Sequence, residues 1–176
     1  MTNEELIKFN KNRKIQQIAI VTPDLEKTMK AWVEHLGIGP WIVVSVSDKS
    51  LDYLHFKGEL VDEPFEFRIA LANVGEMQFE LIQPVSGPTI YAEFLNKNRE
   101  GLHHIKEKIT TEIELGKAVD NYKKKGFNIT QDGKFGKDLH YYLDTENKLG
   151  FAYEIGNSPD LDIPADMYSI FPAEKE

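Results

Sequence analysis

The sequence predicts an α+β fold assembled from two copies of a strand–helix–strand–strand–strand module. Three observations predict it. Strand-like and helix-like runs follow one another twice in the same order. Landmark residues recur at near-constant spacing: Gln17 and His104 stand 87 residues apart (104 − 17), and the helix-closing Gly37 and Gly126 stand 89 apart (126 − 37). Each copy also ends on an apolar strand-like run interrupted by one carboxylate, Glu80 and Glu154, 74 residues apart (154 − 80). The shrinking offset implies shorter loops between the strands of the second copy, and a duplicated module is the economical account.

Taken in order, residues 1–13 are polar with scattered Leu6, Ile7 and Phe9, an arm that reads as a short helix or a loose segment. Residues 15–21 alternate as a strand ended by Pro23, and Asp24 suits a helix N-cap. Leu25, Met29, Trp32, Val33 and Leu36 recur at three- and four-residue steps, the pattern of an amphipathic helix, stopped by Gly37-Ile38-Gly39-Pro40. Strand-like runs follow at 41–46, at 53–56 leading towards 65–72, and at 77–82. The Ser86-Gly87-Pro88 turn closes this half, and a connecting helix is predicted over 89–97.

The second copy opens on a strand from Leu102 to about Ile109. A helix with Ile113, Val119 and Tyr122 closes on Lys125-Gly126, and strands are predicted at 128–131, 139–143 and 151–155. From Asn157 onward prolines and acids alternate with Met167, Tyr168, Ile170 and Phe171, predicting an irregular tail packed by its apolar residues. The expected organisation is an arm (1–13), one domain (14–156, divided into 14–98 and 99–156) and a tail (157–176).

Composition excludes several classes. The chain has 176 residues, 21 Lys+Arg against 29 Asp+Glu, a net charge of −8 and no cysteine. Without Cys there is no thiol nucleophile, Cys-based zinc site or iron–sulfur cluster. The acidic balance argues against a nucleic-acid partner, which needs a basic face. No apolar run approaches the roughly 20 residues that span a bilayer. The acidic N-terminus does not read as a signal peptide, so a cytoplasmic location is the default expectation. Neither a Gly-x-Gly-x-x-Gly dinucleotide fingerprint nor a Gly-x-Ser-x-Gly elbow occurs.

The repeat singles out four residues. Gln17 and His104 lie early in the first strand of each copy, Glu80 and Glu154 in the last. Burying an unpaired carboxylate costs several kcal/mol, so Glu80 and Glu154 call for a cation or a metal. One amide oxygen, one imidazole and two carboxylates suit a divalent first-row metal if the two copies meet about a pseudo-twofold axis. Period-2 alternation lets only one of His103 and His104 face the same side. Lys106 and Lys108 share the face of His104; either that strand is partly exposed, or Lys106 meets an anionic substrate group. His35 suits a helix C-terminus. His55 and His140 lie in strand-like segments with no partner visible in the sequence, and either could line a cavity on that sheet.

The segment Gln17-Ile18-Ala19-Ile20-Val21-Thr22-Pro23-Asp24-Leu25-Glu26 resembles the opening strand and turn of the vicinal oxygen chelate superfamily, the glyoxalase/bleomycin-resistance/dioxygenase group. Phe79-Glu80-Leu81-Ile82-Gln83-Pro84, Phe94-Leu95-Asn96-Lys97-Asn98, Gly101-Leu102-His103-His104-Ile105 and Gly150-Phe151-Ala152-Tyr153-Glu154-Ile155 carry the rest of the likeness, over about residues 14–156. Within the group these blocks are most similar to methylmalonyl-CoA epimerases. The resemblance implies two paired βαβββ modules forming a cupped, curved mixed sheet with helices outside, around one divalent metal ion (Zn, Ni, Co or Mn). It implies Gln17, Glu80, His104 and Glu154 as metal ligands, and it selects His104, leaving His103 behind the ligand or facing a helix. Epimerases of this kind usually carry His where this chain has Gln17, whereas Gln there resembles a class of glyoxalase I.

The implied chemistry is proton abstraction next to a carbonyl, with Glu154 as the first candidate base and Glu80 as its counterpart on the opposite face. The implied substrate is a small acyl-thioester or keto compound, and a homodimer is expected. Glyoxalase I activity is the alternative within the family, and a metal-free drug-binding protein is the alternative in another class. A dioxygenase fits less well, because a set with one His departs from the two-His-one-carboxylate pattern.

Overall fold

A computed structural model of the chain describes residues 1–98, 100–159 and 163–173. Residue 99 of the expected junction and parts of the expected tail therefore lie outside the described residues. The first half holds α1 (Asn3–Asn10), β1 (Lys14–Val21), α2 (Leu25–Leu36), β2 (Trp41–Ser47), β3 (Tyr53–Phe56), β4 (Glu59–Leu60), β5 (Glu66–Val74), β6 (Met77–Ser86) and α3 (Ile90–Asn98). The second holds β7 (Gly101–Lys108), α4 (Glu112–Lys124), β8 (Ile129–Phe135), β9 (Asp138–Leu143), α5 (Glu146–Leu149) and β10 (Ala152–Gly156), and β11 (Tyr168–Phe171) follows.

The strands form one mixed sheet in the order β11-β2-β5-β6-β1-β7-β10-β9-β8-β3-β4. Each half has one parallel pair, β1 with β6 and β7 with β10, and the halves meet along antiparallel β1 and β7. This curved α+β sheet is the duplicated architecture that the repeat predicts.

Two helices cover the convex face. Asp24 caps α2, its carboxylate accepting the Lys27 amide at 3.0 Å, and Gly37 closes the helix at φ 66°. Leu25 and Met29 on α2 bury against Trp41, Val43, Ala70 and Leu81. On α4, Leu115 and Val119 pack on Ile155. The third long helix of the sheet, α3, is the exception to helices outside. Its Ile90 and Tyr91 join Ala19, Val21, Ile82 and Tyr142 on the concave face, and Gln131 Oε1 on β8 accepts the Ile90 amide at 3.1 Å.

Two pairings exceed the predicted modules. The β3–β4 hairpin leaves the first half and pairs with β8 of the second, from Tyr53–Lys134 to Phe56–Gln131. The tail is not wholly irregular, because β11 pairs with the edge strand β2 from Tyr168–Val44 to Phe171–Trp41. The predicted strand at 128–131 is also longer, running to Phe135 through Asp132, Gly133 and Lys134.

The turn after β6 depends on Gly87 (φ 76°). A Cβ there would lie 2.6 Å from Phe65 Cβ and 2.7 Å from Phe65 Cα, so backbone must move. Gly87→Ala is expected to destabilise the protein by about 1–3 kcal/mol, measured as a lower urea midpoint.

Candidate functional site

The register of the central strands assembles the site. Across β6, β1, β7 and β10 one row reads Glu80, Ala19, His104, Ala152, and the next on the same face reads Gln78, Gln17, Lys106, Glu154. Small Ala19 and Ala152 flank His104, leaving room above the sheet for the longer side chains of the neighbouring row. The result is convergence on one nitrogen. His104 Nε2 lies 2.9 Å from Glu154 Oε2, 3.3 Å from Glu80 Oε2 and 3.4 Å from Gln17 Oε1. All four residues are buried, His104 completely.

Three acceptor oxygens face one N–H, so the cluster is short of donors. Glu154 Oε2 is close to His104 in distance but poorly aligned, and it is buried with no hydrogen-bond partner. A buried, orphaned carboxylate oxygen among an amide oxygen, an imidazole and a second carboxylate is a donor set that fits a divalent cation. The set is not preassembled: among the described residues no three His, Asp or Glu groups are spaced to hold a metal ion as they stand. The protein's own cations balance the charge instead. Lys106, 9% exposed, reaches Glu154 Oε1 with its Nζ at 2.7 Å.

The electrostatics follow. Burial disfavours a charged His104, but Glu154 and Glu80 outweigh it and push the imidazole from 6.5 up to about 9. Burial likewise opposes ionisation of Glu154, yet Lys106 and His104 hold it well below the ordinary carboxylate range. Because the folded pKa of His104 is raised, its stabilisation is complete below about pH 6.5 and is lost as pH rises through about 9. The urea midpoint of metal-free protein is expected to fall over that interval. A midpoint that stays level from pH 6.5 to 9 would contradict the charged cluster.

His103 corrects the alternation expected from sequence. The β1–β7 register pairs Ala19 with His104 and Ile20 with Leu102, so His103 occupies a bulge. Both imidazoles are therefore buried on the concave side, with their Nδ1 atoms 2.9 Å apart. Burial first, and the neighbouring His104 next, push His103 well below its usual pKa, leaving it neutral and able to accept the His104 Nδ1–H. Tyr91 and Phe94 of α3 pack edge-on against it.

Above the cluster lies a cavity of about 130 Å³. Gln17, Glu80, Lys106, Glu154 and Tyr142 face it from the floor, and Val44, Phe67 and Leu71 from the first half. Ile163 and Met167 of the tail also line it. On the other wall stand Asp138 and His140, with His140 Nδ1 2.9 Å from Asp138 Oδ2. This pair lacked a sequence signal as a pair, but Asp138-x-His140 has the period-2 spacing of one strand face. His55 pairs instead with Asp132, outside the cavity lining. Lys108 does not line it either. A larger depression of about 590 Å³ lies between α3 and α5, but its lysines, Lys57 and Lys97, both pair with Glu93.

No curated protein matches the sequence. Solved structures share the fold. A hypothetical protein from Bacillus halodurans C-125 superposes with a TM-score of 0.61 at 19% identity, over 87% of this chain and 99% of its own. A methylmalonyl-CoA epimerase from Mycobacterium tuberculosis gives 0.58 at 16%, over 81% and 85%. A Streptomyces coelicolor methylmalonyl-CoA epimerase variant in complex with 2-nitronate-propionyl-CoA gives 0.61 at 18%, over 86% and 98%. Identities this low speak for the fold alone. The family model described as Glyoxalase/Bleomycin resistance protein/Dioxygenase superfamily matches residues 16–143, and the chain belongs to that superfamily.

Proposed function

We propose that this protein is a divalent-metal-dependent isomerase that abstracts a proton next to a carbonyl, in the manner of a methylmalonyl-CoA epimerase. The observation that carries the reading is the convergence of Gln17, Glu80 and Glu154 on His104 Nε2 at the floor of a largely apolar cavity. Gln17, Glu80, His104 and Glu154 would hold the ion. Bound there, it would supply Lewis-acid stabilisation of the substrate's carbonyl oxygen.

The chain's own groups do the rest. Neutral His103 keeps the proton of His104 on Nδ1, so Nε2 is the donor atom presented to the cluster. Lys106 meets an anionic group of the substrate and in doing so releases Glu154 Oε1. Glu154 and Glu80, from the two halves of the chain, are the carboxylates that take and return the proton. Val44, Phe67 and Leu71 exclude water from the carbon that is deprotonated.

Gln17, with its Oε1 turned to His104, favours glyoxalase I chemistry as a second reading. The internal charge balance of Lys106 and His104 favours a metal-free binding protein as a third. Assays of the purified, metal-loaded protein on racemic methylmalonyl-CoA and on the glutathione–methylglyoxal hemithioacetal separate the first two. Elemental analysis separates both from the third. Turnover of neither probe by metal-loaded protein overturns the isomerase reading.

A further inference from the structure

The residues opposite His140 on both neighbouring strands are glycines: Gly156 on β10 and Gly133 on β8. Interior strand glycines weaken a sheet unless something must approach closely. Here something does. A Cβ on Gly133 would lie 2.7 Å from His140 Nε2, and one on Gly156 would lie 2.9 Å from Lys106 Cε. The two glycines clear the floor for an imidazole and an ammonium that both face the cavity. Asp138 holds the ring from the same strand, 2.9 Å from Nδ1, and His140 Nε2 has no hydrogen-bond partner among the described residues. In Glu154, by contrast, Lys106 engages Oε1 and the His104 ring crowds Oε2.

We propose that His140, oriented by Asp138, is a further catalytic residue: with both oxygens of Glu154 engaged, it takes the place of Glu154 as the acid/base opposite Glu80. The two residues stand on β9 and β6, on either side of the β1–β7–β10 floor, so a planar enolate between them has one on each face. The inference rests on the isomerase reading and extends it. In the step, His140 Nε2 takes the α-proton while the C–H bonding pair becomes the enolate C=C and the carbonyl π pair moves to oxygen. The imidazolium that forms is balanced by Asp138. Glu80, protonated before the step, gives its proton to the opposite face and completes inversion; the proton on His140 then leaves to water and Glu80 takes up another. No oxidant or further reactant is required.

The test is deuterium uptake at the α-carbon from D2O, with (2R)- and (2S)-methylmalonyl-CoA supplied separately to metal-loaded parent, His140→Gln, Asp138→Asn and His55→Gln proteins. Metal content and circular dichroism are recorded for each. His140→Gln is expected to lose uptake from one epimer by about 100-fold or more while uptake from the other stays within about threefold. Asp138→Asn is expected to lower the same direction by a smaller factor, and His55→Gln to match the parent. Uptake from both epimers within about threefold of the parent overturns the proposal. An equal loss from both overturns it as well, because it marks a binding or folding role. A parent that exchanges neither epimer overturns the isomerase reading, and this inference with it.

Discussion

Glu154→Ala is expected to lower the unfolding free energy of metal-free protein by about 3–5 kcal/mol. The carboxylate is 2% exposed and stands between two cations, His104 on one oxygen and Lys106 on the other. Removing it leaves both positive groups buried, with Glu80 as the single carboxylate 3.3 Å from His104. That uncompensated charge, rather than the lost attraction, is the larger part of the cost. A companion variant isolates it. Glu154→Leu combined with Lys106→Met removes charge of both signs and should recover most of the loss, since apolar replacement of a buried pair is often close to neutral. Urea titrations at pH 7 measure both. A single variant that loses less than about 1 kcal/mol, the range of an exposed pair, would mean that water already solvates the cluster.

His104→Ala should show its largest effect on metal and turnover. Its Nε2 is the atom on which the other three proposed ligands converge. Loss of a partner that merely orients a ligand typically costs 10–100-fold in metal affinity or activity. Loss of the hub itself is expected to exceed that, to about 1000-fold in turnover, with metal content falling below detection after dialysis. Elemental analysis of the parent and the variant after the same loading decides it. Equal metal in both proteins sinks the ligand assignment, whatever happens to activity.

Much of the site was legible because duplication writes it twice. Glu80 and Glu154 each interrupt an apolar strand, and strand registers then fix which residues share a face. The parts that escaped depend on contacts that local pattern does not encode. Alternation assumes an unbroken ladder, and the β1–β7 bulge breaks it, so His103 shares the concave side with His104, while its place behind the ligand and against α3 agrees with expectation. Strand β8 runs beyond its expected end because the pairings with β9 and β3 override the low strand propensity of Asp132, Gly133 and Lys134. His140 had no visible partner because its importance rests on glycines 7 residues before it and 16 after it in the chain (140 − 133 and 156 − 140), opposite it only in the folded sheet. Strand β11 was hidden because its partner edge on β2 lies more than a hundred residues away.

The hairpin that crosses to β8 bears on how the chain is made. His55 and its partner Asp132 are 77 residues apart, on the order of 4–15 s of synthesis at 5–20 residues per second. Through that interval the hairpin has no sheet to join and presents an open edge, the kind of surface that recruits other chains. Such non-local pairing also slows folding, because loop closure must precede any return from the contacts. The two similar halves are therefore expected to close as one unit, the hairpin joining the sheet once β8 is made.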